Sequence, residues 1–153
     1  MNEFIKNQYL IFFVDEAYAI EIDKVLEIIE YKNVTKVPET PDYISGIINL
    51  RGQVIPVIDL RKRFKKNTEN NNPRKSIIIT KIEGNQLGLI ADGVSDIIKM
   101  EEDKISPPPT VGSDYAHVFV KLIGVHNEKM HLILDTDKLI NLSDFELLEN
   151  PNE

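Results

Sequence analysis

The chain has 153 residues, 42% of them hydrophobic and 28% charged, and no cysteine, so a disulfide framework, a thiolate nucleophile and a cysteine-based zinc site are excluded. The net charge of −7 argues against nucleic acid as the main partner. No apolar run reaches membrane-spanning length and the start "MNEFIKNQYL" lacks a long apolar stretch, so the expected place is the cytoplasm, with no direct membrane insertion.

In chain order, "QYLIFFV" (Gln8 to Val14) predicts a strand rich in aromatic and β-branched residues, with "YAI" as its hairpin partner. In "IEIDKVLEIIEY", Ile22, Val25, Leu26 and Ile29 fall at i, i+3, i+4 and i+7, which predicts a short amphipathic helix. Val25, Leu26, Ile28 and Ile29 cover more than one side of that helix. Either two packed units bury both sides, or one side faces a partner. Pro41 suits the first turn of a brief helix, "PDYI".

"GIINL" and "QVIPVID" are strands meeting at Arg51-Gly52. Gly52 supplies the φ > 0 that a short connection needs, and Pro56, which has no N–H, places its strand at an edge. "LRKRF" is a helical turn. The basic run "RKRFKK" (Arg61 to Lys66) fits a solvated helix end, with a phosphate or anionic lipid site as the alternative. A polar, Asn-rich loop spans 66–75.

The second half is built alike. "SIIITKI" and "QLGLIAD" are strands joined at Gly84-Asn85, and "GVSDIIKM" follows. "ISPPPTVG" is neither helix nor central strand, because its prolines lack donors. "HVFVKLIGV" and "KMHLILD" form a last hairpin. Ser143 and Glu146 make a capping box for a C-terminal helix, 143–149.

The halves align. Asp23, Val25, Glu27, Ile28 and Ile29 match Asp92, Val94, Asp96, Ile97 and Ile98 at an offset of 69 residues. Each unit leads through a proline-marked segment to a hairpin ending in "VID" or "ILD". About five short strands in about 70 residues suit a small closed barrel, since an open sheet would leave two adhesive edges. The expected architecture is all-β with a few short helices. One domain covers 1–153, in two tandem five-stranded barrels at 8–70 and 74–140.

No catalytic signature is present: no P-loop, no G-x-G-x-x-G, no G-x-S-x-G. His126 and His131 flank the hairpin "NEK" with Glu128 between them, but two ligands and a mobile third do not make a metal site. Asp23, Asp59, Asp92 and Asp135 sit where strands give way to helical turns, the place of a cap rather than of acid–base chemistry. No catalytic residue, metal or cofactor is expected, and a metal-dependent enzyme using the two histidines is the remote alternative.

"GIINLRGQVIPVIDLRKRF" resembles the central motif of the CheW family of bacterial chemotaxis. "YLIFFVDEAYAIEIDKVLEII", "LGLIADGVSDII", "ISPPP" and "MHLILDTDKLI" resemble its other blocks in the same order, from Gln8 to Leu148. Ala91 departs from the bulky aliphatic usual before Asp92. The resemblance implies two SH3-like barrels and a non-enzymatic adaptor, monomeric by itself. Such an adaptor couples the cytoplasmic tip of a methyl-accepting chemoreceptor to the regulatory domain of the histidine kinase CheA, and is recruited to membrane-associated arrays. Val25, Glu27 and Ile28 then lie on the partner-binding face. Gly46, Asn49, Arg51 and Gly52 match the receptor-coupling signature G-x-x-N-L-R-G. An adaptor of another sensory array, for surface motility or biofilm control, is the alternative. Arg51 and Gly52 have no counterpart in the second half's hairpin, which marks them as a docking feature rather than a barrel requirement.

Overall fold

The computed structural model describes residues 6–67, 75–109, 118–141 and 143–144. The first half carries β1 (Gln8–Val14), β2 (Glu16–Glu21), β3 (Val25–Glu30), β4 (Ile44–Leu50), β5 (Gln53–Asp59) and the helical turn α1 (Leu60–Arg63). The second carries β6 (Ser76–Ile82), β7 (Asn85–Ala91), β8 (Gly93–Lys99), β9 (Ile105–Ser106), β10 (Val120–His126) and β11 (Lys129–Leu134). Two sheets result, in the orders β3-β6-β7-β5-β4 and β8-β1-β2-β11-β10-β9.

These orders correct the division at 8–70 and 74–140. Each sheet is assembled from both halves. The β6–β7 hairpin of the second half lies between β3 and β5 of the first, and the β1–β2 hairpin of the first lies between β8 and β11 of the second. The repeat is real, but its two copies exchange hairpins. In each sheet one crossing contact is antiparallel (β3 on β6, β8 on β1) and one is parallel (β5 on β7, β11 on β2). Each sheet also curls until its ends approach. Thr35, beyond β3, bridges Ile47 on β4, and β9, beyond β8, pairs with β10. The all-β barrel architecture therefore holds, with different strands in each barrel.

Strands such as "LIFFV" and "SIIIT" read as unbroken apolar runs because both of their faces are buried. From β1, Leu10, Phe12 and Val14 enter a central cluster between the barrels, while Tyr9 and Ile11 fill one barrel. From β6, Ile78 and Ile82 enter the central cluster, while Ile77 and Ile79 fill the other barrel. Each such side chain, fully buried, contributes about 1.5–3 kcal/mol relative to exposure. So three apolar layers, one central and one per barrel, hold the molecule.

Four local expectations need correction. The helix expected at "IEIDKVLEIIEY" is a 3₁₀ turn, Ile22–Lys24, followed by β3. "PDYI" is a turn closed by Ile44 N–H donating to the Pro41 carbonyl (3.0 Å) and leads straight into β4. β5 is an internal strand, not an edge, but its ladder to β7 begins only at Val57. Pro56 stands just outside it, where no donor to β7 is required. The basic run is not simply solvated. Arg61 is 5% exposed, Phe64 is buried, and the Arg63 guanidinium lies over Tyr43 (4.0 Å) and Phe119 (4.7 Å). Ser143 and Asp144 are helical; the rest of the predicted C-terminal helix falls outside the described residues.

Candidate functional site

The β4–β5 connection is a two-residue turn, with Leu50 paired to Gln53 and positive φ at both Arg51 (51°) and Gly52 (87°). That is the type I′ geometry, whose twist matches that of a hairpin. Asn49 steadies it: its side-chain oxygen accepts from the Gly52 N–H at 3.0 Å. The same geometry recurs at Glu83-Gly84 (50°, 82°) and at Asn127-Glu128 (52°, 64°). Gly52 thus meets a requirement of the barrel hairpin, contrary to the inference that it belongs to docking alone. Arg51 is different. An arginine in the left-handed region costs about 1–2 kcal/mol, and the turn would form more easily with asparagine or glycine there.

The strained turn holds the Arg51 side chain against β3, where its Nη2 donates to Oε1 of Glu27. The Arg51 side chain is 70% exposed, so the pair adds little stability, at most about 1 kcal/mol. Leu26, Glu27, Leu50, Arg51, Gln53 and Gln86 line a cleft of about 390 Å³, in which Gln86 Nε2 donates to Gln53 Oε1 at 2.8 Å. Gln86 belongs to the second half, so this wall of the barrel is shared between the halves.

Beside the cleft is an apolar surface. Along β3 exposure alternates, with Leu26 and Ile28 outward (48% and 44%) and Val25 and Ile29 packed against the core. Ile28 is opposite Ile78, a member of the central cluster, and cross-strand partners share a face. Ile28 therefore extends the layer between the barrels to its open rim. Val54, at 58% exposed, projects from β5 just past the turn.

The seven residues singled out in the sequence thus divide. Glu27 and Ile28 on β3, Asn49 near the end of β4, and Arg51 and Gly52 in the turn are exposed or partly exposed. Val25 is half-buried against the central cluster. Gly46 is buried: a Cβ there would stand 2.1 Å from the Thr35 carbonyl oxygen, and its φ is +147°. It makes room for the backbone of Thr35, which exchanges hydrogen bonds with Ile47 at 2.8 and 2.9 Å. Leu50, Gln53, Val54 and Gln86 were not picked out. The letters "QVIP" past the turn do not set the exposed Val54 apart from the buried Ile55 beside it.

The four aspartates also divide. Asp23 lies inside the 3₁₀ turn Ile22–Lys24, after the N-cap Glu21, and that turn has no side-chain cap bond. Asp59 caps α1, accepting from the N–H of Arg61 (2.9 Å) and Lys62 (3.4 Å). Asp92 instead accepts Arg61 Nε (3.0 and 3.1 Å) and Nη2 (2.6 Å). Arg61 also reaches Asp15 and the Asn67 carbonyl. Asp135 precedes its 3₁₀ turn without a side-chain cap bond. The rings of His126 and His131 stand edge to face at 6.5 Å. Burial, then the neighbouring His126, hold the His131 imidazole below its ordinary pKa. Among the described residues no group of three or more His, Cys, Asp or Glu is placed to hold a metal.

The comparisons with known proteins agree over nearly the whole chain. The family described as CheW-like domain matches residues 8–144. Chemotaxis protein CheW of Klebsiella aerogenes is 33% identical over 150 residues, covering 97% of this chain and 90% of the relative. Protein FrzA of Myxococcus xanthus is 28% identical over 127 residues, covering 82% and 79%. The crystal structure of scaffolding protein TtCheW from Thermoanaerobacter tengcongensis superposes with a TM-score of 0.82 at 38% identity, over 90% of this chain and 94% of that one.

Proposed function

The chain belongs to the CheW-like domain family, and from that membership we propose that it is a non-enzymatic adaptor of a chemotaxis array. It couples the cytoplasmic hairpin tip of methyl-accepting chemoreceptors to the regulatory domain of the histidine kinase CheA. It works in the cytoplasm, recruited to receptors at the membrane; among the described residues no helix is long and apolar enough to cross a membrane. The observation that carries this reading is the juxtaposition on one barrel of exposed Leu26, Ile28 and Val54 with the Glu27–Arg51 pair. A receptor tip is a helical hairpin, and a helix docks by burying apolar anchors inside a polar rim. Arg51 supplies the rim with several donors for carboxylates or carbonyls.

Titration of the kinase regulatory domain and of a receptor tip into the protein tests the proposal. Binding to both is expected, and binding to neither at high micromolar concentration defeats it. The similarity to Protein FrzA supports a second reading, an adaptor of another sensory array. Binding to the kinase of such an array, in preference to a chemotaxis CheA, would select it.

A further inference from the structure

We infer that the two halves of this chain, up to Asn67 and from Lys75, are obligate partners of one another: neither builds a barrel alone, and as separate chains they assemble into the native fold.

The ladders carry this. Within a half, the pairings are the hairpins β1–β2, β4–β5, β6–β7 and β10–β11, with the short β9–β10 contact and the Thr35–Ile47 bridge. Among the described residues the four remaining ladders all cross between halves. A first half alone would present β3 and β5 as open edges with a two-strand gap between them, where β6 and β7 belong. Two-stranded hairpins are marginal in water, and unpaired edges of this length are adhesive. The apolar layers give the same result. The central cluster joins Leu10, Phe12 and Tyr18 to Ile78, Leu89 and Leu134, and the barrel of β3–β7 closes Ile48, Ile55 and Val57 over Ile77, Ile79 and Ile90. A buried charge contact crosses as well, Arg61 of the first half on Asp92 of the second.

By contrast, one connection between the halves is the covalent chain from Asn67 to Lys75. A chain tether raises the effective concentration of one half near the other to the millimolar range. The four crossing ladders and the shared core lie outside that segment, so the interface persists without the covalent link. One consequence concerns the candidate site. All seven residues from Val25 to Gly52 belong to the first half, yet the barrel that displays them has β6 and β7 at its middle. The first half by itself carries the sequence of the site and cannot present it.

The test starts from the full chain. A protease recognition sequence is placed between Asn67 and Lys75, and the folded protein is cleaved. The pieces are expected to co-elute at micromolar concentration with unchanged strand content by circular dichroism. Separated in denaturant and returned singly to buffer, each is expected to lack native strand content; mixed, they recover it. If the insertion itself prevents folding, the halves are co-expressed as separate chains with a tag on one, and co-purification in equal amounts is expected. Separation of the cleaved pieces in native buffer would overturn the inference. So would a native strand signal from either piece alone, or recovery of the tagged half without its partner.

Discussion

At the scale of single residues, Arg51 is a side chain that its turn does not need. Asparagine would adopt the same left-handed backbone at lower cost, and the exposed pair with Glu27 returns about 1 kcal/mol at most. Arg51→Asn is therefore expected to be at least as thermally stable as the wild type while binding a receptor tip more weakly. A clear fall in melting temperature would make Arg51 a structural residue instead. Strain kept where a better turn residue exists fits the docking role proposed for Arg51. Gly46 has the opposite character. The Thr35 backbone leaves no space for a methyl group, so Gly46→Ala is expected to destabilise the fold by about 3 kcal/mol in urea unfolding. An unchanged unfolding midpoint would contradict this. Both residues belong to one short motif, and their letters did not distinguish them. The need for glycine at 46 comes from a segment eleven residues earlier in the chain, and its burial is set by the Thr35–Ile47 bridge.

At the scale of elements, β3 explains how a helix and a strand share one sequence. Ile22, Val25, Leu26 and Ile29 have helical spacing, but three of the six residues Val25–Glu30 are β-branched, and Leu26 and Ile28 alternate with Glu27 and Ile29. The 3₁₀ turn at Ile22–Lys24 absorbs the first residues, and a bulge between Val25 and Glu27 resets the register against β6. Periodicity over eight residues could not separate these outcomes; pairing with β6, a distant partner, decided between them. The α1 turn likewise looked like a charged surface because "RKRFKK" names its charges and not its neighbours. Arg61→Met leaves the Asp92 carboxylate, itself mostly buried, without its guanidinium, and is expected to cost about 3 kcal/mol of stability. Adding Asp92→Leu should recover part of that loss; full additivity of the two would contradict a direct coupling. On β11, burial and His126 lower the His131 pKa in the folded state, so protonation favours the unfolded chain. The contribution of His131 is complete above its unfolded pKa, near 6.5, and is lost as pH falls below that value. A His131→Phe variant is expected to lose less stability than the wild type between pH 7 and pH 5 in thermal melts. Parallel pH profiles would contradict this.

At the scale of the whole molecule, the strands of the four hairpins and the internal repeat were legible, because each is written locally in apolar runs, turn residues and self-similarity; β3 was not. The partition into barrels was not. Which β6 face meets which β3 face is a contact across some fifty residues, and "SIIIT" offers nearly identical letters to both sides. The repeat pointed to two self-contained units; exchange of hairpins produces the same repeat with one shared central layer. That layer opens at Ile28, beside the turn that holds Arg51 on Glu27, and the proposed coupling rests on this surface. The measurement that bears on it most directly is calorimetric titration of a receptor hairpin tip into wild-type protein and Arg51→Glu, with circular dichroism and melting temperature recorded for both. The variant should fold as the wild type does and bind more than tenfold more weakly, a loss above about 1.4 kcal/mol. A folded variant with unchanged affinity would contradict the assignment of this face to the receptor.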